Sequence, residues 1–149
     1  MAKKYSVAGT NNSQAAPATI INLIGSTAIR PRVFDILVGS AQTPADQAMQ
    51  IQCGRTTAVG TAGSSPTPLP LDPADVASVS TAGTGHTAEP TYAATFLLQF
   101  GLNQRATFRW VAAPDSELVG SATASNGVGL KVSTSTATLV MNGTTLFFE

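Results

Sequence analysis

Asp115 and Glu117 are the residues whose types and spacing come closest to an acid/base pair in this chain. They follow Trp110 in the stretch "FRWVAAPDSELV", residues 108–119. Two positions apart in an extended segment, their side chains share a face. A glycosidase holds two carboxylates about 5 Å or more apart across a sugar, and this spacing permits that arrangement. Any polar junction between a loop and a strand also produces it. Pro114 fixes its own φ, and Asp115 and Ser116 can accept hydrogen bonds from nearby backbone amides. The stretch reads first as a turn, next as an interface salt link, and last as a catalytic pair.

The other chemistry-bearing residues are sparse. His86 is the only histidine and Cys53 the only cysteine, so no set of His and Cys ligands can converge on a metal ion and no internal disulfide can form. His86 lies in "GTGHTAEP" and reads as a solvent- or turn-associated histidine. Cys53 falls on the apolar parity of a strand, where a buried small hydrophobe is expected. "DPAD" lacks the calcium-loop pattern. No G-x-S-x-G elbow occurs, and "GTAGSSPT" has no P-loop lysine. Arg105, Arg109 and Trp110 could together suggest a nucleic-acid surface. Trp110, however, has the opposite parity from Arg109, which reads as a core tryptophan beside exposed arginines. The expectation is no catalytic residue, no metal, no cofactor and no direct nucleic-acid binding.

Composition bounds the classes left. The 149 residues suit one domain, with 43% apolar and 11% charged residues, eight basic against eight acidic. A free soluble surface commonly carries roughly a quarter to a third charged residues. The shortfall suits an extracellular protein, or a subunit whose surface faces neighbours in an assembly. No apolar h-region follows "MAKKYSVAG" and no apolar run is long enough to span a bilayer, so neither a signal peptide nor a membrane partner is expected.

The elements that would position these residues are strands. "RVFDILVGS" places Phe34, Ile36 and Val38 on the expected core face, and "AMQIQCGRTT" does the same with Met49, Ile51 and Cys53. In "YAATFLLQFGL", Tyr92, Ala94, Phe96, Leu98 and Phe100 share a parity, and "GLNQ" reads as a hairpin turn into "RATFRWVAA". "SAQTPADQ" and "LDPADVASV" read as turns or one-turn helices, the first capped by Thr43. Asn142-Gly143 signals either a hairpin or a bulge in the final strand. Residues 60–91 are rich in Pro, Gly, Ser and Thr. With Pro66, Pro68 and Pro70 they form a long surface excursion or an arm lying on a partner subunit. The expected fold is all-β, a jelly roll or related antiparallel β-sandwich. An immunoglobulin-like sandwich is the nearest competitor, although its Cys–Trp–Cys framework is absent. Residues 1–17 are expected to be a flexible arm and 18–149 a single domain.

The C-terminal part, with "RVFDILVGS", "CGRTTAVGTAGSS", "LDPAD", "TAEPT", the "RW" strand and "GVGLKV", resembles small jelly-roll structural or decoration proteins of tailed bacteriophages. The likeness spans residues 30–149. It implies a head decoration (cement) subunit on a virion, without enzyme activity, that binds a major capsid protein or other virion subunits. It also implies a homo-oligomer, with a trimer as one arrangement. Pro66, Pro68, Pro70, Asp115 and Glu117 are the interface candidates under that reading. The alternative is a carbohydrate- or host-surface-binding β-sandwich module.

Overall fold

The computed structural model describes residues 2–12, 15–135 and 138–149. The strands are β1 (Lys4–Thr10), β2 (Ala18–Ile24), β3 (Arg32–Ser40), β4 (Ala48–Ala58), β5 (Leu69–Pro70), β6 (Thr81–Gly83), β7 (Thr91–Asn103), β8 (Phe108–Val111), β9 (Leu118–Val119), β10 (Gly127–Ser135) and β11 (Met141–Phe148). They form two antiparallel sheets packed as a sandwich. The first has the order β5-β1-β11-β3-β8, with β9 also on β3, and the second β6-β2-β10-β4-β7.

Period-2 patterning builds the layer between the sheets. Tyr5, Val7, Ile36, Val38, Met141 and Phe147 come from the first sheet. Ile21, Leu23, Met49, Ile51, Cys53, Val128, Leu130 and Val132 come from the second, and all are buried in one cluster. Tyr5 stacks on Phe147 with ring centroids 5.6 Å apart, and Phe100 of β7 stacks on Phe108 of β8 at 4.0 Å, joining the two sheets. Each fully buried Ile or Leu contributes about 1.5–3 kcal/mol by leaving water. Trp110 is half-buried against this cluster, on the face expected for it.

Several connections differ from expectation. Residues 4–10, assigned to a flexible arm, are an internal strand paired with β11 on one side and β5 on the other. Their alternation is short, with only Tyr5 and Val7 as large apolar residues, yet both are almost fully buried. "GLNQ" does not close a hairpin, because β7 pairs with β4 in one sheet and β8 with β3 in the other. The turn, marked by the Ala106 amide donating to the Asn103 carbonyl at 2.9 Å, carries the chain between layers. Asn142-Gly143 is neither hairpin nor bulge. Both residues sit inside β11 in regular register with β1 and β3. A Cβ on Gly143 would lie 2.8 Å from the Ile20 Cγ2, so the glycine serves sheet-to-sheet approach.

Register shifts explain the two misjudged faces. The β3–β11 pairing slips between Leu146 and Phe147, where Phe34 is the extra residue. Val33 therefore enters the core, while Phe34 turns outward onto Phe148, with centroids 4.5 Å apart. In β7 the shift opposite Cys53 and Gly54 separates Leu98, which packs on the core, from Phe96, which lies with Tyr92 on the other face. A Cβ on Gly54 would meet the Phe96 ring at 2.8 Å, so that position admits the ring only as glycine.

The long excursion folds on its own domain. It contributes β5 to β1, β6 to β2, and bridges between Thr61 and Ala88 and between Ser64 and Thr84. Thr84 ties the layers together: its hydroxyl lies 2.7 Å from both the Thr10 and Ile20 carbonyl oxygens, with one proton to donate between them, and it accepts from the Thr10 amide. Residues 18–23 of β2 are consequently buried on both faces.

Candidate interaction surface

Asp115 sits exposed at a turn tip with φ of +63°, and the Ser116 amide donates to the Ala113 carbonyl at 3.0 Å. Asn and Asp tolerate this left-handed region better than bulkier residues. Glu117 accepts a 2.8 Å hydrogen bond from Arg32 Nη2. That bond, with help from its own amide and that of Asp115, holds the Glu117 carboxyl below the usual range. Glu117 is thus engaged as an anion in tying the turn to β3. The geometry is that of the turn expected from "AAPDSEL", and the salt link Glu117 makes is to β3 of its own chain.

His86 departs from the sequence reading. It is 1% exposed, and neither ring nitrogen meets a hydrogen-bond partner among the described residues. Burial lowers its pKa, partly offset by Glu89 and the nearby Val59 backbone. The reason it is interior is local. Gly83 has no side chain, leaving room for the imidazole Nε2 about 3.1 Å from where a Cβ would stand. Asn22, paired with Gly83, also has an unpartnered Nδ2 among the described residues. Nearby on the same excursion, Glu89 accepts hydrogen bonds from the Thr19 amide and hydroxyl, and Thr19 bonds the Tyr92 hydroxyl at 3.0 Å. Lys131 Nζ lies 4.4 Å from the Tyr92 ring centroid and 4.8 Å from that of Phe96. Burial raises the Tyr92 phenol and lowers the Lys131 ammonium. These groups bind the excursion to the second sheet.

Cys53 is buried, and burial pushes its thiol up to about 12. Arg109 donates to a buried Asp35 and shares no face with Trp110. Among the described residues, no group of three or more His, Cys, Asp or Glu gathers to hold a metal ion. No helix among them is long and apolar enough to cross a membrane.

The prolines proposed for an interface turn toward their own fold. Pro68 is buried, and Pro66 and Pro70 are half-buried. Their neighbours face outward: Leu69 is 66% exposed, Leu71 49%, Val76 62% and Val79 54%. Among the described residues the one other large hydrophobic so exposed is Val111, so the exposed aliphatic surface is concentrated on a single segment. Sequence reasoning passed over these four because the segment looked like a solvated loop. The signal was present in "LPLDPADVASV", where four large aliphatics occur in a stretch without the sustained periodicity of a strand or helix that would bury them.

This ridge is held firmly. The Leu71 amide donates to the Lys4 carbonyl at 2.8 Å, and the Tyr5 hydroxyl donates to the Val76 carbonyl at 3.1 Å. The Asp72 carboxylate accepts from the Ala74 amide. Glu149 accepts from Ser78 Oγ at 2.7 Å, the Val79 amide at 3.0 Å and the Ser80 amide at 2.8 Å. Those bonds outweigh its desolvation and lower its pKa. Beside the ridge, Ala2, Lys4, Leu71, Asp72 and Asp75 line an open hollow of about 310 Å³. A larger trough of about 700 Å³ lies further along β1 and β11, walled by small residues including Thr10, Asn12, Ser64 and Asn142.

No protein-family description, curated protein or solved structure matches the chain.

Proposed function

We propose that this chain is a virion structural protein, a head decoration subunit that binds and reinforces a capsid lattice. The observation that carries the reading is the anchored aliphatic ridge of Leu69, Leu71, Val76 and Val79. Apolar side chains held in fixed positions on a low-charge surface suit a protein that works by contact with neighbours.

The strand order supports a jelly-roll assignment. With the short β5, β6 and β9 set aside, the long strands run β1-β11-β3-β8 in one sheet and β2-β10-β4-β7 in the other. Chain-consecutive strands β1 and β2, β3 and β4, β7 and β8, and β10 and β11 therefore alternate between layers, as two Greek keys do in capsid subunits. Lattice binding then works through many copies, each contributing a small affinity. Mass analysis of purified particles tests the function directly. The expected result is a band at 15.2 kDa in fixed, multiple-copy stoichiometry to the capsid protein; its absence from particles would refute the proposal.

A further inference from the structure

His86 is the one fully buried side chain of residues 85–89, with Thr87 and Ala88 exposed beside it. Its ring lies against Gly83, where a Cβ would stand 3.1 Å from the imidazole Nε2 and 3.0 Å from the Ala62 Cβ. Neither ring nitrogen has a hydrogen-bond partner among the described residues, so the imidazole fills this space as a neutral plug. A cation there has little to meet. Asn22 of β2, paired with Gly83, leaves only an amide donor unpartnered. The Glu89 carboxylate and the Val59 backbone favour the charged ring, but burial outweighs both. Glu89 Oε2 already accepts from the Thr19 amide and hydroxyl, and the same carboxylate acts on Lys131.

The bonds that hold this segment differ from those of its neighbour. The Thr61 amide donates to the Ala88 carbonyl at 2.8 Å, the Thr87 amide to the Thr61 carbonyl at 2.9 Å, and Asn12 Nδ2 to the Gly85 and His86 carbonyls at 2.8 Å. Just before it, Thr84 is fixed by its backbone to Ser64 and by its hydroxyl to Thr10. Gly85, with φ of +59°, stands at the junction, and a glycine absorbs backbone rotation at least cost.

We propose that residues 85–89 are a flap that swings open on acidification, hinged at Gly85, with protonation of His86 as the trigger. The closed flap keeps the ring neutral, and the open flap places it in water, where the charged form is stable. The buried ring gives up its proton below the ordinary 6.5. Each pH unit from 6.5 down to the folded value therefore multiplies the open population by about ten. Opening releases Glu89 from Thr19 and uncovers that buried side chain of β2, while both sheets stay paired. The inference does not rest on the virion reading.

Hydrogen exchange resolved by NMR from pH 7.5 to 5 tests it, each rate being divided by that of an unstructured peptide at the same pH. The reporters are the Thr19, Thr61, Thr87 and Ala88 amides, whose bonds the opening breaks, and the Ser64 and Thr84 amides are controls on the fixed side. The reporters should be less protected than the controls at every pH. They should lose protection by about tenfold per unit below 6.5 in the natural chain and keep it in His86→Leu. The His86 ring protons of the natural chain give a readout independent of any substitution and should titrate below 6.5. Reporters as protected as the controls, protection that does not change with pH, an equal slope in His86→Leu, or a ring that titrates at or above 6.5 would each overturn the proposal.

Discussion

Arg109 Nε donates to both carboxylate oxygens of Asp35, at 3.0 and 3.1 Å, from a side chain that is 61% exposed to one that is 3% exposed. The pair spans neighbouring strands, with the arginine capping a carboxylate sunk into the outer face of the first sheet. Breaking such a pair from the exposed side leaves a buried charge without its partner. Arg109→Ala should therefore lower the urea midpoint far more than Arg105→Ala. The double replacement Asp35→Leu/Arg109→Leu should be less harmful than Arg109→Ala alone, since it removes both polar groups together. Equilibrium unfolding of the four proteins checks this order.

Histidine burial sets a pH window. Its folded pKa lies below the ordinary 6.5, so the unfolded chain binds the proton more readily. His86 thus favours folding fully above pH 6.5, and stability falls as pH drops below that value toward the folded pKa. Glu117 and Glu149, whose pKa values are lowered, lose their contributions only at more acid pH, below the ordinary 4.5. Thermal midpoints measured from pH 7.5 to 5 should fall for the natural chain and stay flatter for His86→Leu. Parallel profiles would count against the histidine as the source.

Gly54 admits the Phe96 ring against the second sheet. Gly54→Ala should destabilise by about 1–3 kcal/mol through overpacking. The companion change Phe96→Ala should relieve much of the strain. A double-mutant cycle in urea measures this coupling, which should be well above the few tenths of a kcal/mol seen between independent sites.

Glu149 holds the Val79 and Ser80 amides. In Glu149→Ala, amide hydrogen exchange at residues 78–80 should accelerate while exchange in β4 and β10 stays slow, because only a local opening becomes easier.

The Cys53 thiol, raised to about 12 by burial, is protected twice over, by access and by protonation. Its reaction with a thiol reagent at neutral pH should proceed only as fast as the protein opens, and should become immediate in denaturant. Fast labelling of the folded protein would contradict the packing of β4.

The strands were legible where alternation was clean and uninterrupted. Met49, Ile51 and Cys53 face inward as their spacing requires. The all-β class followed from many such runs separated by turns. Faces were misread at Phe34 and Phe96, because a bulge changes parity without marking itself in the pattern. Pairing partners were hidden for a different reason. A short turn such as "GLNQ" reverses the chain equally well within a sheet or between two sheets, and only the packing of Phe100 on Phe108 across the layers decides which. Glu117 was recognisable as a turn residue, but Arg32 lies 85 positions away and no local spacing points to it. The ridge at 69–79 was misjudged through its prolines, which attracted attention while Leu69 and Leu71 carry the exposure.

The strand order has a consequence for how the chain matures. β11 lies between β1 and β3, and β10 lies between β2 and β4. A growing chain that has not reached residue 127 can hold four fragments: β5 with β1, β3 with β8, β2 with β6, and β4 with β7. Each sheet is then split down its middle. Residues 127–148 insert as the last two ribs and join the halves at once, so the two sheets complete in a single late event. Such long-range closure is slow compared with local pairing. Until it occurs, the open flanks of β1, β2, β3 and β4 offer unpaired backbone to any neighbouring nascent chain.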